Sequence, residues 1–312
     1  MKLHELTSQY VAYKQSMGMR FRTEARVLKS FCRMIGDAGV DKLEPDAVQA
    51  FLDGSGPVTC FWHRKYEVLC GFYRFAIARR YVGASPLPRT APKRPQPFVP
   101  HIFSRDELQR LLVAADSWQH RRAKIESHTC RALLLTLYGA GLRISEALSL
   151  TLADVDLHLG ILAIRESKFY KTRIVPIGAN LAGAMTLYQN HRLREHPAKL
   201  SAPFFVSRLG EAVTLQTAER TFRRICLDAS VKRPDGARYQ PRLHDLRHSA
   251  AVHRLISWYR NGSDVQKLLP QLATYLGHVH IAATQRYLTM TPELLSEASR
   301  RFEHYAMEEP HE

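Results

Sequence analysis

Apolar residues recur at three- and four-residue spacing along most of the chain, the period of a helix with one face turned inward. Leu3, Leu6, Tyr10 and Tyr13 mark a first segment, and Val27, Leu28, Phe31 and Ile35 a second. Pro45 opens a third, with Val48, Phe51 and Leu52 behind it, since proline's missing amide costs nothing in a helix's first turn. A fourth runs from about Cys60 to Tyr81, where Phe72, Tyr73, Phe75 and Ile77 form a broad apolar face. The period then stops at Pro86, Pro88, Pro92, Pro95, Pro97 and Pro100, which predict an extended linker because proline lacks a donor and disfavours helix before it. Beyond it, Ser104-x-x-Glu107 forms a capping box ahead of Leu108, Leu111 and Leu112. A helix over about Thr129 to Tyr138 is broken by Gly139 and Gly141, and another starts near Arg143 with Ile144, Ala147 and Leu148. β-Branched residues in Ile161 to Arg165 and Arg173 to Ile177, with Gly160 and Gly178 outside them, predict a hairpin. Helices resume near Asn180 and continue almost to the end, and no internal repeat is present.

The expected class is therefore mainly α with a small β-hairpin or sheet (α+β). A helical bundle over 1–85, a linker over 86–100 and a larger domain over 101–312 agree with the two domains that 312 residues suggest. A content of 45% hydrophobic and 24% charged residues is that of a globular chain and excludes wholesale disorder. No apolar run is long enough to span a bilayer, and MKLHELTSQY carries no apolar leader. Five cysteines without a C-x-x-C pair exclude a disulfide scaffold or zinc ribbon, so a reducing cytoplasm is the expected setting.

Charge adds a partner class. The net charge is +16, and residues 1–100 hold 16 of the 45 Lys+Arg against 8 of the 29 Asp+Glu. The first third is thus about twice as basic per residue as the rest, which suits a polyanion. Arg20, Arg22, Arg26, Arg64, Lys65, Arg79 and Arg80 are the candidate phosphate contacts of the bundle, and Lys93 and Arg94 those of the linker. Each alone is most often a solvated surface charge; only the ensemble is informative.

Four separated pieces carry candidate chemistry: Gly141-Leu142-Arg143, Lys168 in the hairpin connection, His244-Asp245-Leu246-Arg247-His248, and Leu276-Gly277-His278 with Tyr287 nine residues on. His244 and Arg247 share a helix face, and Arg143 follows a glycine break where backbone amides also favour anions. Two arginines present planar forks that match phosphate oxygens and stay charged, so they can stabilise a pentavalent phosphorane without a metal. Tyr287 is the candidate nucleophile; forming its phenolate at pH 7 costs roughly 4 kcal/mol, which nearby cations and a base must lower. His244 and His248 superficially match the H-E-x-x-H zinc helix. Asp245 replaces the glutamate, Arg247 sits beside the would-be metal and no third ligand is evident, so no metal is expected. Asp245 fits a helix start or an arginine's partner, and His248 a packed helix histidine or, less often, a contact to neighbouring catalytic groups. There is no nucleotide-binding glycine loop and no carboxylate cluster of a two-metal nuclease.

In this order and spacing the pieces resemble the catalytic domain of the tyrosine recombinase (phage-integrase-like) family over about 101–305, and the basic bundle is similar to its core-binding domain. The resemblance implies a site-specific recombinase that cuts and rejoins double-stranded DNA through a 3′-phosphotyrosine, with Arg143, Lys168, His244, Arg247, His278 and Tyr287 catalytic and no cofactor. It implies that His244 helps manage the tyrosine proton, that His278 bonds the scissile phosphate and that Lys168 protonates the departing 5′ oxygen. Lys171, three residues on, competes for the lysine role. Arg247 and His278 stand 31 positions apart, and that longer segment looks like the recombinases of transposons and mobile elements, hence integration, excision or transposition. The expected partners are a homotetramer on paired sites, possible related recombinases and no membrane, in a cytoplasmic, nucleoid-associated setting. Leu295, Ala298, Phe302 and Tyr305 are expected on one face of a terminal helix that docks on a neighbouring protomer. The competing readings are a type IB topoisomerase and a catalytically idle DNA-binding accessory protein.

Overall fold

The computed structural model describes residues 1–36, 38–96, 98–118, 123–165, 172–233, 235 and 240–307, the last four by their backbone alone. The chain forms two compact units, Met1–Phe98 and Val99 onward. The first holds α1 (Leu3–Ser16), α2 (Arg22–Ile35), α3 (Pro45–Asp53) and α4 (Cys60–Ala78). Their apolar faces close on Leu3, Leu6, Leu28, Phe31, Val48, Leu69 and Phe72, all fully buried. The periodicity of the sequence therefore turns directly into the core of this unit, and Pro45 does stand in the first turn of α3. Between Ala78 and Arg105 no described residue lies in helix or strand.

The second unit begins with α5 (Arg105–Asp116), where Ser104 accepts the Glu107 amide at 3.1 Å and Glu107 accepts the Ser104 amide at 2.8 Å. α6 (Ser127–Gly139) runs through the core and ends at Gly141, whose φ of +57° turns the chain into α7 (Ile144–Leu148). A three-stranded antiparallel sheet follows: β1 (Val155–Asp156), β2 (Ile161–Ile164) and β3 (Arg173–Pro176), in that order. The predicted hairpin is β2–β3, with Leu162 opposite Val175 on the buried face. β1 is only two residues long, too short to leave an alternation in the sequence. The remaining helices are α8 (Ala179–Glu195), α9 (Leu215–Asp228), α10 (Leu243–Arg260), α11 (Val265–Leu276), α12 (Ala282–Gln285) and α13 (Pro292–Met307), with a 3₁₀ turn at Arg286–Thr289. Pro270 sits inside α11.

α13 leaves Leu295 and Phe302, of the stripe expected to dock on a neighbouring protomer, exposed on its own unit. Leu294 is its buried apolar residue, while Leu295 is 50% exposed and Phe302 71%. The seated face is set by polar partners: Arg260 donates to Glu293 at 2.8 Å and Glu297 at 3.0 Å, and Arg301 bonds the Ser263 and Gly262 carbonyls. Those contacts rotate Leu294 inward and leave the Leu295–Phe302 side to solvent.

Candidate active site

The pieces at 141–143, 244–248 and 276–287 come together in the second unit. Arg143 is the N-cap of α7, fixed by the break at Gly141. Its guanidinium donates to Glu146 Oε1 at 2.7 Å and to the Gly277 carbonyl at 2.9 Å. Arg247, fully buried on α10, donates to the Gly141 carbonyl at 2.6 Å and the Leu276 carbonyl at 2.5 Å. The two arginines thus tie the turn after α6 to the end of α11. Both glycines take a positive φ that favours glycine, and a Cβ on either would displace a side chain. A Cβ on Gly277 (φ +68°) would meet the Arg173 guanidinium at 2.7 Å, and one on Gly141 would meet Leu276 at 2.9 Å.

Beneath them lies a carboxylate that the sequence reading missed. Glu146 is 5% exposed and takes a bidentate pair from Arg173 at 2.9 and 2.8 Å, besides Arg143 and, at 4.0 Å, Arg247. Burial raises this carboxyl, but hydrogen bonds from Arg173 and from the Arg143 backbone and side chain outweigh it and hold it at about 2. A buried anion that neutralises part of three arginines lets them stand together in low dielectric. Its one sequence signal was the Arg143-x-x-Glu146 spacing, which also serves as a capping box.

Tyr287, in the 3₁₀ turn, is 2% exposed. Its hydroxyl lies 3.2 Å from Nδ1 of His248, and Arg247 also hydrogen-bonds it. Burial raises its phenol, while Arg247, Arg143 and Arg286 pull it down. Burial and the neighbouring His244, Arg242 and Arg247 push His248 down to about 3, so its imidazole is neutral at pH 7. His248 thus makes the contact to a neighbouring catalytic group that its position on the helix left open beside simple packing. The ring within hydrogen-bond distance of the phenol is that of His248, one helical turn on from His244.

His244 stands edge to face on His248 at 4.7 Å, and burial, Arg247 and Arg242 lower it to about 4. His278 takes the other side, its ring stacked on Tyr287 at 6.0 Å and its Nδ1 fixed by Thr284 Oγ1 at 2.7 Å. Burial and the arginines lower it to about 4 as well. Asp245 has the role read from its spacing, accepting from the Arg242 amide at 3.0 Å and its guanidinium at 2.8 Å. Tyr275, near the end of α11, donates to the Pro176 carbonyl at 3.2 Å. Lys168 and its competitor Lys171 lie outside the described residues.

In the first unit Arg20, Arg22, Arg26, Arg79, Arg80, Lys93 and Arg94 are exposed. Arg79 lies over the Phe75 ring at 3.9 Å, Arg94 pairs with Glu67 at 2.6 Å and Arg64 with Glu24 at 3.3 Å. Lys65 turns inward. Its ammonium donates to the Phe51 and Leu52 carbonyls at 2.7 and 3.2 Å, where it completes the end of α3.

The phage integrase family model matches residues 102–293. The chain is 32% identical over 303 residues to integrase/recombinase y4rB of Sinorhizobium fredii, 96% of each being covered. It is 29% identical over 243 residues to tyrosine recombinase XerC of Pelotomaculum thermopropionicum, covering 76% of this chain and 73% of that one. Its fold is similar to that of the Tn1549 transposon integrase in complex with transposon right-end DNA: TM-score 0.71, 15% identity, 98% and 100% covered. A lambda integrase tetramer bound to a Holliday junction gives a TM-score of 0.67 at 17% identity, with 92% and 77% covered.

Proposed function

This chain belongs to the phage integrase family, and from that premise we propose how its side chains divide the work of a tyrosine-type site-specific recombinase acting on double-stranded DNA. The observation that carries the assignment is the Tyr287 hydroxyl held between a neutral His248 and the charged Arg247. Tyr287 transfers its proton to His248 as its oxygen forms a bond to the scissile phosphorus. Arg143, Arg247 and His278 hold the phosphoryl oxygens as negative charge builds on them. His244 backs His248 and orients it. The phosphorus–O5′ bond breaks, and Lys168 gives its proton to that oxygen. A 3′-phosphotyrosine and a 5′-hydroxyl result, and a 5′-hydroxyl of the exchanged strand reverses the step. The phosphodiester's energy stays in the covalent bond, so the transfer needs no nucleotide.

The exposed arginines of the first unit bind the flanking phosphates. Four copies assemble on paired sites, with Leu295 and Phe302 of one copy docked on the next; the exposure of both supports this. A cavity of about 520 Å³ walled by Tyr138, Arg254, Trp258, Leu272 and Tyr275 suits such an aromatic anchor. The likeness to an integrase/recombinase and the long Arg247–His278 segment support a mobile element as the substrate. No described helix is long and apolar enough to cross a membrane, in keeping with work on nucleoid DNA in the cytoplasm.

The test uses a duplex selected from random sequence by binding. Plasmids with two copies should recombine, and truncation after Thr291 should preserve one-site binding but weaken two-site complexes. Relaxation of a one-site plasmid without recombination of the two-site plasmid would instead mark a type IB topoisomerase.

A further inference from the structure

We propose that Glu126, His128 and His191 form a binding site for a divalent transition metal of the zinc class, which joins the start of α6 to α8. One ligand atom from each lies within 4.8 Å of the others. His128 Nε2 is 3.1 Å from Glu126 Oε2, and the two imidazoles meet with centroids 3.6 Å apart at 66°. Ligands about 2.0–2.2 Å from a tetrahedral zinc are separated by roughly 3.3 Å, so a small rotation of His191 closes the set and water takes the fourth place.

The donor chemistry selects the ion. Two imidazoles and one carboxylate suit zinc and its neighbours, whereas magnesium and calcium prefer oxygen throughout. All three side chains are half-buried over a firm floor. Tyr188 donates to the Phe204 carbonyl at 3.1 Å, stacks on Phe205 and lies 5.9 Å from the His128 ring. Arg208 is the competing cation, but it reaches the other Glu126 oxygen, Oε1, and only at 4.0 Å. Glu195 and His196 also face His128 electrostatically, and Glu195 adds anionic charge that favours a cation.

The site is remote from the recombinase chemistry. Glu126 and His128 stand at the N-terminal end of α6 and Arg143 beyond its C-terminal end, about 20 Å apart at 1.5 Å per residue over 13 residues. Its role is therefore to pin two core helices together. His128 and His191 stand 63 positions apart, so no ligand spacing announced the site in the sequence.

The test is calorimetric titration of the tag-free full chain, stripped with a chelator, with zinc and with magnesium. One equivalent of zinc should bind and magnesium should not. Zinc at about 100 times its Kd should raise the melting temperature by roughly 5–10 °C. His128→Gln and His191→Gln should each weaken zinc binding at least about tenfold while keeping the metal-free melting temperature, and Cys60→Ser should bind as the parent does. Absence of stoichiometric binding, or unchanged affinity in both histidine variants, would overturn the site and leave only a histidine–glutamate hydrogen bond. Neither result would touch the recombinase assignment.

Discussion

Glu146→Gln isolates what the buried carboxylate contributes. The substitution keeps the shape and removes the charge that Arg143, Arg173 and Arg247 share at 2.7, 2.8 and 4.0 Å. The carboxyl lies at about 2 in the folded chain against an ordinary 4.5, which at roughly 1.4 kcal/mol per pH unit is about 3–4 kcal/mol. Removal of one member of a buried ion pair costs about 3–5 kcal/mol, so the two routes agree. The melting temperature of the second unit should then fall by roughly 6–12 °C at pH 7. Because the folded value is depressed, this stability is fully present above the unfolded value and is lost as pH falls toward the folded one, between about pH 5 and 2. Thermal unfolding followed by Trp118 and Trp258 fluorescence from pH 7 down to pH 3 should show parent and variant converging. A variant as stable as the parent at pH 7, or a gap that does not change with pH, refutes the assignment of Glu146 as the arginines' counter-charge.

Three further outcomes are expected. His248→Gln should slow covalent adduct formation by about 10²-fold at unchanged DNA affinity, as expected for loss of a positioned base; since His248 is already neutral, the parent's rate should show no titration step near pH 6.5. Lys168→Ala should slow cleavage of ordinary DNA and be rescued by a 5′-thiolate leaving group, and rescue of Lys171→Ala instead exchanges their roles. Neutralisation of about 8–12 phosphates should give a log–log salt dependence of roughly −7 to −11 in a binding titration, and a slope near −2 contradicts phosphate binding by both units.

Local physics made most elements legible in the sequence. Pro45 and the Ser104–Glu107 box mark real helix starts, Gly141 a real break, and the β-branched runs a real hairpin. What escaped depends on contacts between distant segments. Glu146 went unread because its other partner, Arg173, arrives from β3. Which group His248 contacts was not legible because Tyr287 reaches it from 39 positions away. The face of α13 that seats on its own unit was not legible because salt bridges to Arg260, rather than the apolar stripe, choose it. Lys65 was grouped with the phosphate contacts because nothing local shows that it meets the carbonyls closing α3.

The most direct test of the central claim is the chemical identity of the protein–DNA junction. A nicked suicide duplex should trap a denaturant-resistant adduct whose peptide map places the DNA 3′-phosphate on Tyr287 and leaves a free 5′-hydroxyl on the released strand. Tyr287→Phe should bind the same duplex and form no adduct. An adduct on Tyr275, on Tyr305 or through a 5′-phosphate, or one that persists in Tyr287→Phe, would contradict the account.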